Sequence, residues 1–146
     1  MELQYTHSKV WLHAILSTNG KLPLINADNE QFICALLKDC FSNQHCEVAT
    51  MSALKDHVHV LILCNPKKAF SEILEQVYAE SAVLINEKYY KADSFNWEKG
   101  FILFSVSESQ VSKVQDYIQN QKEFHKDKNF VKELDDFLLI HGLKSK

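Results

Sequence analysis

Four short runs of apolar, partly β-branched residues are separated by longer stretches in which apolar residues return every three or four positions. The first run covers residues 10–17. A turn signal, Asn19-Gly20, and Pro23 follow it. Between residue 28 and about residue 42, Phe32, Ile33, Leu36, Leu37, Cys40 and Phe41 carry a helical period, with Asp28 as the expected N-cap. Residues 46–53 read as a second strand. Lys55-Asp56 then leads into a third, His57-Val58-His59-Val60-Leu61-Ile62-Leu63, and so tight a connection suits antiparallel neighbours. Residues 69 to about 89 are helical, through Phe70, Ile73, Leu74, Val77, Tyr78, Ala82 and Ile85. Residues 91–99 form a loop anchored by Phe95 and Trp97, and residues 100–106 make a fourth strand. A helix is expected from Ser109 or Gln110 to about His125, started by the cap-rich Ser107-Glu108-Ser109. A last one covers 129–140 through Phe130, Leu134, Phe137 and Leu138, and Gly142 stops it.

Strand–helix–strand units about a central hairpin predict an α+β, ferredoxin-like (split βαβ) antiparallel sheet with helices on one face and a further C-terminal helix. The first and third strands are then central. Residues 1–146 are read as a single domain, long enough for one core and too short for two ordinary ones.

Strand alternation puts His57 and His59 on one face, with Leu61 and Leu63, and Val58, Val60 and Ile62 on the other. Two imidazoles at alternate positions of a stiff strand can share one metal ion. An isolated pair of this kind also suits two hydrogen-bonded histidines with no ligand. Mid-sheet placement on the face away from the helices favours the metal. Tyr117 and Gln121, four apart on the expected helix, share one of its faces, while Val111, Val114 and Ile118 form a separate stripe for docking. A tyrosine and a glutamine at this spacing also occur on ordinary surface helices.

Charge narrows the chemistry. All 16 basic residues are lysine and the net charge is -3. Nucleic-acid-binding domains are usually basic, so composition weighs mildly against such a partner and excludes bidentate arginine contacts. Any phosphate must meet lysine, backbone amide, polar side chain or metal. No apolar run approaches a membrane span, and the first residues lack the basic-then-apolar order of a signal peptide, so a cytoplasmic protein is expected. Cys34, Cys40, Cys46 and Cys64 have no paired short spacing and read as reduced thiols. Cys40, His45 and Cys46 lack a fourth partner for zinc.

Taken in order, these motifs resemble the single-tyrosine HUH transposases of the IS 200/605 type, over almost the whole chain. The stretches that carry the likeness are the opening strand and loop with Ser17-Thr18 and Leu22-Pro23-Leu24, then Asp56-His57-Val58-His59-Val60-Leu61. Phe95-Asn96-Trp97-Glu98-Lys99-Gly100-Phe101 with Phe104-Ser105-Val106-Ser107 follow, and finally Tyr117-Ile118-Gln119-Asn120-Gln121 with His125. The resemblance implies that Tyr117 is the nucleophile and that His57, His59 and Gln121 hold Mg²⁺ or Mn²⁺. It implies a metal-dependent transposase that cuts and rejoins single-stranded DNA at hairpin-marked ends through a 5′-phosphotyrosine. It further implies a homodimer whose sites each combine the histidines of one chain with Tyr117 of the other. The sequence departs from the family pattern at Asn19, Gly20 and Leu22, where basic residues are usual. It departs again at residues 77–82, which lack a lysine followed by paired serines, and at Phe124, where a second histidine is common. A domesticated or decayed relative that only binds hairpin DNA is the alternative. A ferredoxin-like RNA-binding module would need sheet aromatics for stacking bases, and the His57 strand offers none.

Overall fold

The computed structural model describes residues 7–125 and 129–143. Its elements are β1 (Trp11–Ser17), α1 (Glu30–Asn43), β2 (Glu47–Ala53), β3 (His57–Leu63), α2 (Phe70–Tyr89), β4 (Ile102–Val106), α3 (Val111–Gln119), α4 (Gln121–Phe124) and α5 (Phe130–Ile140). The strands form one sheet in the order β2-β3-β1-β4, and every pairing is antiparallel. This is the expected arrangement, with β1 and β3 central. Register places Ile15 opposite His59, Ser17 opposite His57, and His13 between Leu61 and Phe104. Directly opposed residues share a face, so one face of the central sheet carries His57, His59, His13 and Ile15 together.

On the other face Val58, Val60 and Ile62 join Ile33, Leu37 and Phe41 of α1 and Ile73, Leu74, Val77 and Ile85 of α2 in the main core. The loop before β4 is fastened to it. Asn86 donates to the carbonyl of Phe95 (2.9 Å) and accepts from its amide (2.8 Å), and the Trp97 indole donates to Ser81 Oγ (2.9 Å). These buried bonds replace water for groups that a loop would otherwise leave unsatisfied.

Three details differ from the sequence reading. The α1 start is one residue later, because Asn26 and Asn29 build the turn: Asn26 Oδ1 accepts from Asp28 N (3.0 Å), and Asn29 Oδ1 accepts from Asn26 N (2.8 Å). The penultimate helix breaks at Asn120, whose side chain donates to the Asp116 carbonyl (2.8 Å) and competes with the backbone ladder there. Ser107 gives no side-chain cap; a 3-10 turn, Glu108–Gln110, leads into α3 instead. The end of α5 is as expected. Gly142 has φ 72°, where a side chain would be strained, and the Leu143 amide turns back to the Leu138 carbonyl (2.7 Å).

The histidine face is covered, not open. Helix α3 crosses β2 and β3, and α5 lays Phe130, Leu134, Phe137 and Leu138 against Ile15, Phe104 and Ile102. His57 and His59 are consequently buried. No helix of the described residues is long and apolar enough to cross a membrane.

Candidate active site

The two histidines of β3 reach the site with their rings held from behind. His57 Nδ1 lies 2.7 Å from Asp56 Oδ1, and His59 Nδ1 lies 2.9 Å from Nε2 of the buried His13. Each ring is oriented by the nitrogen that faces away, which leaves both Nε2 atoms turned into the site. Phe130 fixes the His57 ring further by stacking on it at 3.6 Å between centroids and an interplanar angle of 4°.

The atoms these rings point at belong to one carboxylate. Glu133 Oε1 is 3.1 Å from His59 Nε2, 3.0 Å from His125 Nε2 and 3.4 Å from His57 Nε2. Glu133 Oε2 accepts the hydroxyl hydrogen of Tyr117. Helix α5 delivers this carboxylate. Asn129 Oδ1 caps the helix by accepting from Lys132 N (2.9 Å), the apolar stripe docks it, and Glu133 lies in its first turn, where the helix dipole favours negative charge.

Four residues from two distant stretches of the chain thus converge. Donor atoms of His57, His59, His125 and Glu133 lie within 4.8 Å of one another, and no other group of three or more His, Cys, Asp or Glu residues among the described ones meets that description. Cys40, His45 and Cys46 do not, and all four cysteines are free thiols.

Tyr117 stands beside this group on α3, with its ring 5.8 Å from that of His59 in the same chain. Gln121 is fully buried one turn on. Its amide nitrogen donates to the Tyr117 carbonyl (3.2 Å), while its Oε1 has no partner. His57 Nε2 is likewise buried without a hydrogen bond. Two of the three residues expected to ligate metal therefore present orphaned buried atoms, which native proteins seldom tolerate without a ligand or water. A divalent ion fits that donor set.

Electrostatics agree with a crowded polar centre. Burial works to raise the Glu133 carboxyl, but the His57 and His59 imidazoles that face it outweigh burial and hold the group far below the usual carboxylate range. Burial pulls His57 down, and Asp56 and Glu133 more than reverse this, raising it. Burial dominates at His59, lowering it against the pull of Glu133, and lowers His13 to about 3 with His59 adding to the effect. Burial and the bond to Glu133 raise the Tyr117 phenol.

A cleft of about 740 Å³ opens on His57 and His125, with Lys21, Lys55 and Lys122 along its walls. On the other side of α5 a second cleft reaches Tyr117, Glu133 and His13 between Val114, Phe137 and Ile140. The site is thus approached from two sides of one helix.

Sequence reasoning singled out His57, His59, Tyr117 and Gln121; the fold places the Tyr117 ring beside His59 and buries Gln121 one turn on, bonded to the Tyr117 carbonyl. It noted His125 only as part of a motif and missed Glu133 and His13. The signal for Glu133 was present: it falls three after Phe130 and four before Phe137, inside the apolar stripe of α5.

Comparison with known proteins gives a family and a fold. The model of a family described as "Transposase IS200 like" matches residues 6–121. The ISDra2 transposase TnpA of Deinococcus radiodurans is 26% identical over 95 residues, 60% of this chain and 66% of that protein, so the match spans just under two thirds of the relative's length. A solved candidate transposase from Deinococcus radiodurans superposes with a TM-score of 0.63 at 19% identity, over 83% of this chain and 96% of that one. A REP-associated tyrosine transposase, solved bound to a REP hairpin, gives 0.62 at 13% identity, over 86% and 74%. At these identities the two structures speak for the fold.

Proposed function

The chain belongs to the IS200-like transposase family, and we propose that it cuts and rejoins single-stranded DNA at hairpin-marked ends, with Tyr117 as nucleophile. The observation that carries the reading is the convergence of the Tyr117 hydroxyl with the inward nitrogens of His57 and His59 on one buried carboxylate.

His57, His59 and Gln121 are the proposed holders of a divalent ion, Mg²⁺ or Mn²⁺, for which the orphaned His57 Nε2 and Gln121 Oε1 are suited. Such an ion, when bound, polarises a phosphate and steadies the charge that develops on it. The protein supplies the rest. Tyr117 Oη attacks phosphorus, the bond to the 3′ oxygen breaks, and the DNA strand is left as a 5′-phosphotyrosine and a 3′-hydroxyl. Glu133 Oε2 accepts the Tyr117 hydroxyl hydrogen, which places it to pass that proton on to the departing 3′ oxygen, so the phenol loses the proton that the new 3′-hydroxyl gains. Attack by a 3′-hydroxyl reverses the step and frees Tyr117, so joining needs no external energy source. Lys21, Lys55 and Lys122 line the cleft beside His57, Lys122 paired with Glu30 (2.6 Å) and Lys21 with Glu98 (3.7 Å), and a phosphate backbone that meets no arginine in this chain would draw on these lysines.

The proposal includes a homodimer with composite sites. One observation favours a variant of it: Tyr117 already meets the histidines of its own chain, so a single chain holds the full constellation. Mixing a His57→Ala, His59→Ala double variant with Tyr117→Phe, under verified subunit exchange, returns activity only if sites are shared between chains.

The decisive experiment uses labelled single-stranded hairpin DNA with Mn²⁺ and a denaturing gel. Wild type gives a covalent protein–DNA adduct, and Tyr117→Phe binds the hairpin without forming one. Binding without adduct in wild type identifies a relative that only recognises DNA. An adduct that survives Tyr117→Phe refutes the assignment of the nucleophile.

A further inference from the structure

We infer that His125 and Glu133 are protein ligands of the same metal as His57 and His59, and that this nitrogen-rich set selects a first-row transition ion over Mg²⁺. The inference rests on the metal reading above and extends it to two residues beyond the family-matched segment, which ends at Gln121.

The donors have the spacing of a ligand set. Three imidazole Nε2 atoms surround one carboxylate oxygen at 3.0, 3.1 and 3.4 Å. Four ligands about 2.1 Å from one ion stand about 3.4 Å from each other, so an ion needs little rearrangement to sit among them.

The proton inventory points the same way. Asp56 occupies His57 Nδ1 at 2.7 Å, which in the neutral ring puts the hydrogen there and a lone pair on Nε2. That lone pair faces Glu133 Oε1, itself a donor of electron pairs, across 3.4 Å and without a hydrogen bond. A buried imidazole nitrogen and a carboxylate oxygen at this distance call for a cation between them, a proton or a metal ion. The outer contacts complete the pattern of a metal centre: a carboxylate behind His57, an imidazole behind His59, and a stacked ring that fixes the plane of His57.

Donor chemistry then sets the ion. Mg²⁺ demands oxygen ligands and keeps several of its waters, whereas imidazole suits the later first-row divalent ions. Three nitrogen donors disfavour Mg²⁺. Glu133 adds a further consequence, since Oε1 joins the ligand set while Oε2 holds Tyr117. The ligand from α5 is therefore also what positions the nucleophile.

The test is metal binding by the full chain, with Mn²⁺, Co²⁺ and Mg²⁺ titrated separately by calorimetry. Wild type should bind Co²⁺ more than about tenfold tighter than Mg²⁺. Glu133→Gln and His125→Ala should each weaken Mn²⁺ binding by more than the roughly tenfold typical of losing an outer contact, with circular dichroism confirming the fold. In wild type itself, Zn²⁺ should shift the imidazole nitrogen resonances of His125 together with those of His57 and His59, a readout that needs no variant. If His125 resonances stay fixed while those of His57 and His59 move, or if both variants bind Mn²⁺ like wild type, the inference fails and the histidine-pair reading stands. If His57→Ala also binds Mn²⁺ like wild type, or wild type binds none of the ions, both fail. Equal affinity for Mg²⁺ and Co²⁺ overturns the selectivity.

Discussion

Replacing Phe130 by alanine should detach α5 from a sheet that otherwise stays folded. Phe130 is 5% exposed and stacks on His57 at 3.6 Å. With Ile15 and Phe104 it makes up the buried part of a small cluster, to which Leu134, Phe137 and Leu138 add only partly buried surface. No strand pairing ties α5 to the sheet. Its docking rests on about 1.5–3 kcal/mol for each fully buried side chain and less for the others, together with the Glu133 bonds to His59, His125 and Tyr117, set against the entropy of ordering the helix. Truncating a buried phenylalanine costs about 3–5 kcal/mol, a large share of that docking free energy. The main core against α1 and α2 does not include Phe130. Native-state hydrogen exchange reads the two regions separately. A loss of about 3 kcal/mol is roughly a hundredfold in the opening equilibrium, so α5 amides should exchange roughly a hundredfold faster while those of β1 and β3 keep their rates. Undocking also takes Glu133 from Tyr117, so the raised phenol should fall toward about 10, visible as phenolate absorbance at lower pH. Equal loss of protection in α5 and β3 would show that the helix belongs to one cooperative unit with the sheet, and an unchanged α5 would show that Phe130 does not hold it.

His13→Phe keeps a ring in the core but removes the nitrogen 2.9 Å from His59 Nδ1; Mn²⁺ affinity by calorimetry should fall about 10–100-fold. Asn86→Ala breaks both bonds to the Phe95 backbone in a buried setting and should cost about 2–3 kcal/mol in urea unfolding, with metal affinity of the folded chain unchanged. In the metal-free chain the urea midpoint should fall on both sides of a maximum near about pH 6.5, the unfolded histidine value. The depressed Glu133 carboxyl contributes stability that is present above its unfolded value of about 4.3 and is lost as pH falls toward its folded value. The raised His57 contributes stability that is present below about 6.5 and is lost as pH rises through its folded value. Glu133→Gln should reduce but not abolish the acid limb, because the lowered His13 and His59 also cost stability as pH falls below about 6.5; an acid limb unchanged in that variant would show that Glu133 contributes none of it.

What the chain reveals about itself differs between its sheet and its site. The period of two in 57–63 and the two-residue link before it were enough to place the histidines mid-sheet on the face away from α1 and α2, because strand alternation and antiparallel pairing are local properties. The stripe Phe130, Leu134, Phe137 and Leu138 was equally legible. What a stripe cannot state is which surface it meets. Read alone, α5 needed an apolar partner, and the histidine face seemed open only because no element had been assigned to cover it. Glu133 carries the missing information. A carboxylate inside a docking stripe is costly unless cations or donors meet it on the other side, and the histidine face is the surface where His57 and His59 supply them. Tyr117, Gln121 and His125 extend the same logic, since they recur every four residues and face the same way despite the break at Asn120. Asn120 itself left no mark on the hydrophobic period, so the break was invisible to it. Composition concealed the rest: the negative net charge argues against a nucleic-acid partner, yet it averages over the surface and says nothing of Lys21, Lys55 and Lys122, which the fold gathers on one cleft beside His57. Net charge weighs against long-range attraction to a polyanion; local grouping of cations decides where a phosphate can rest.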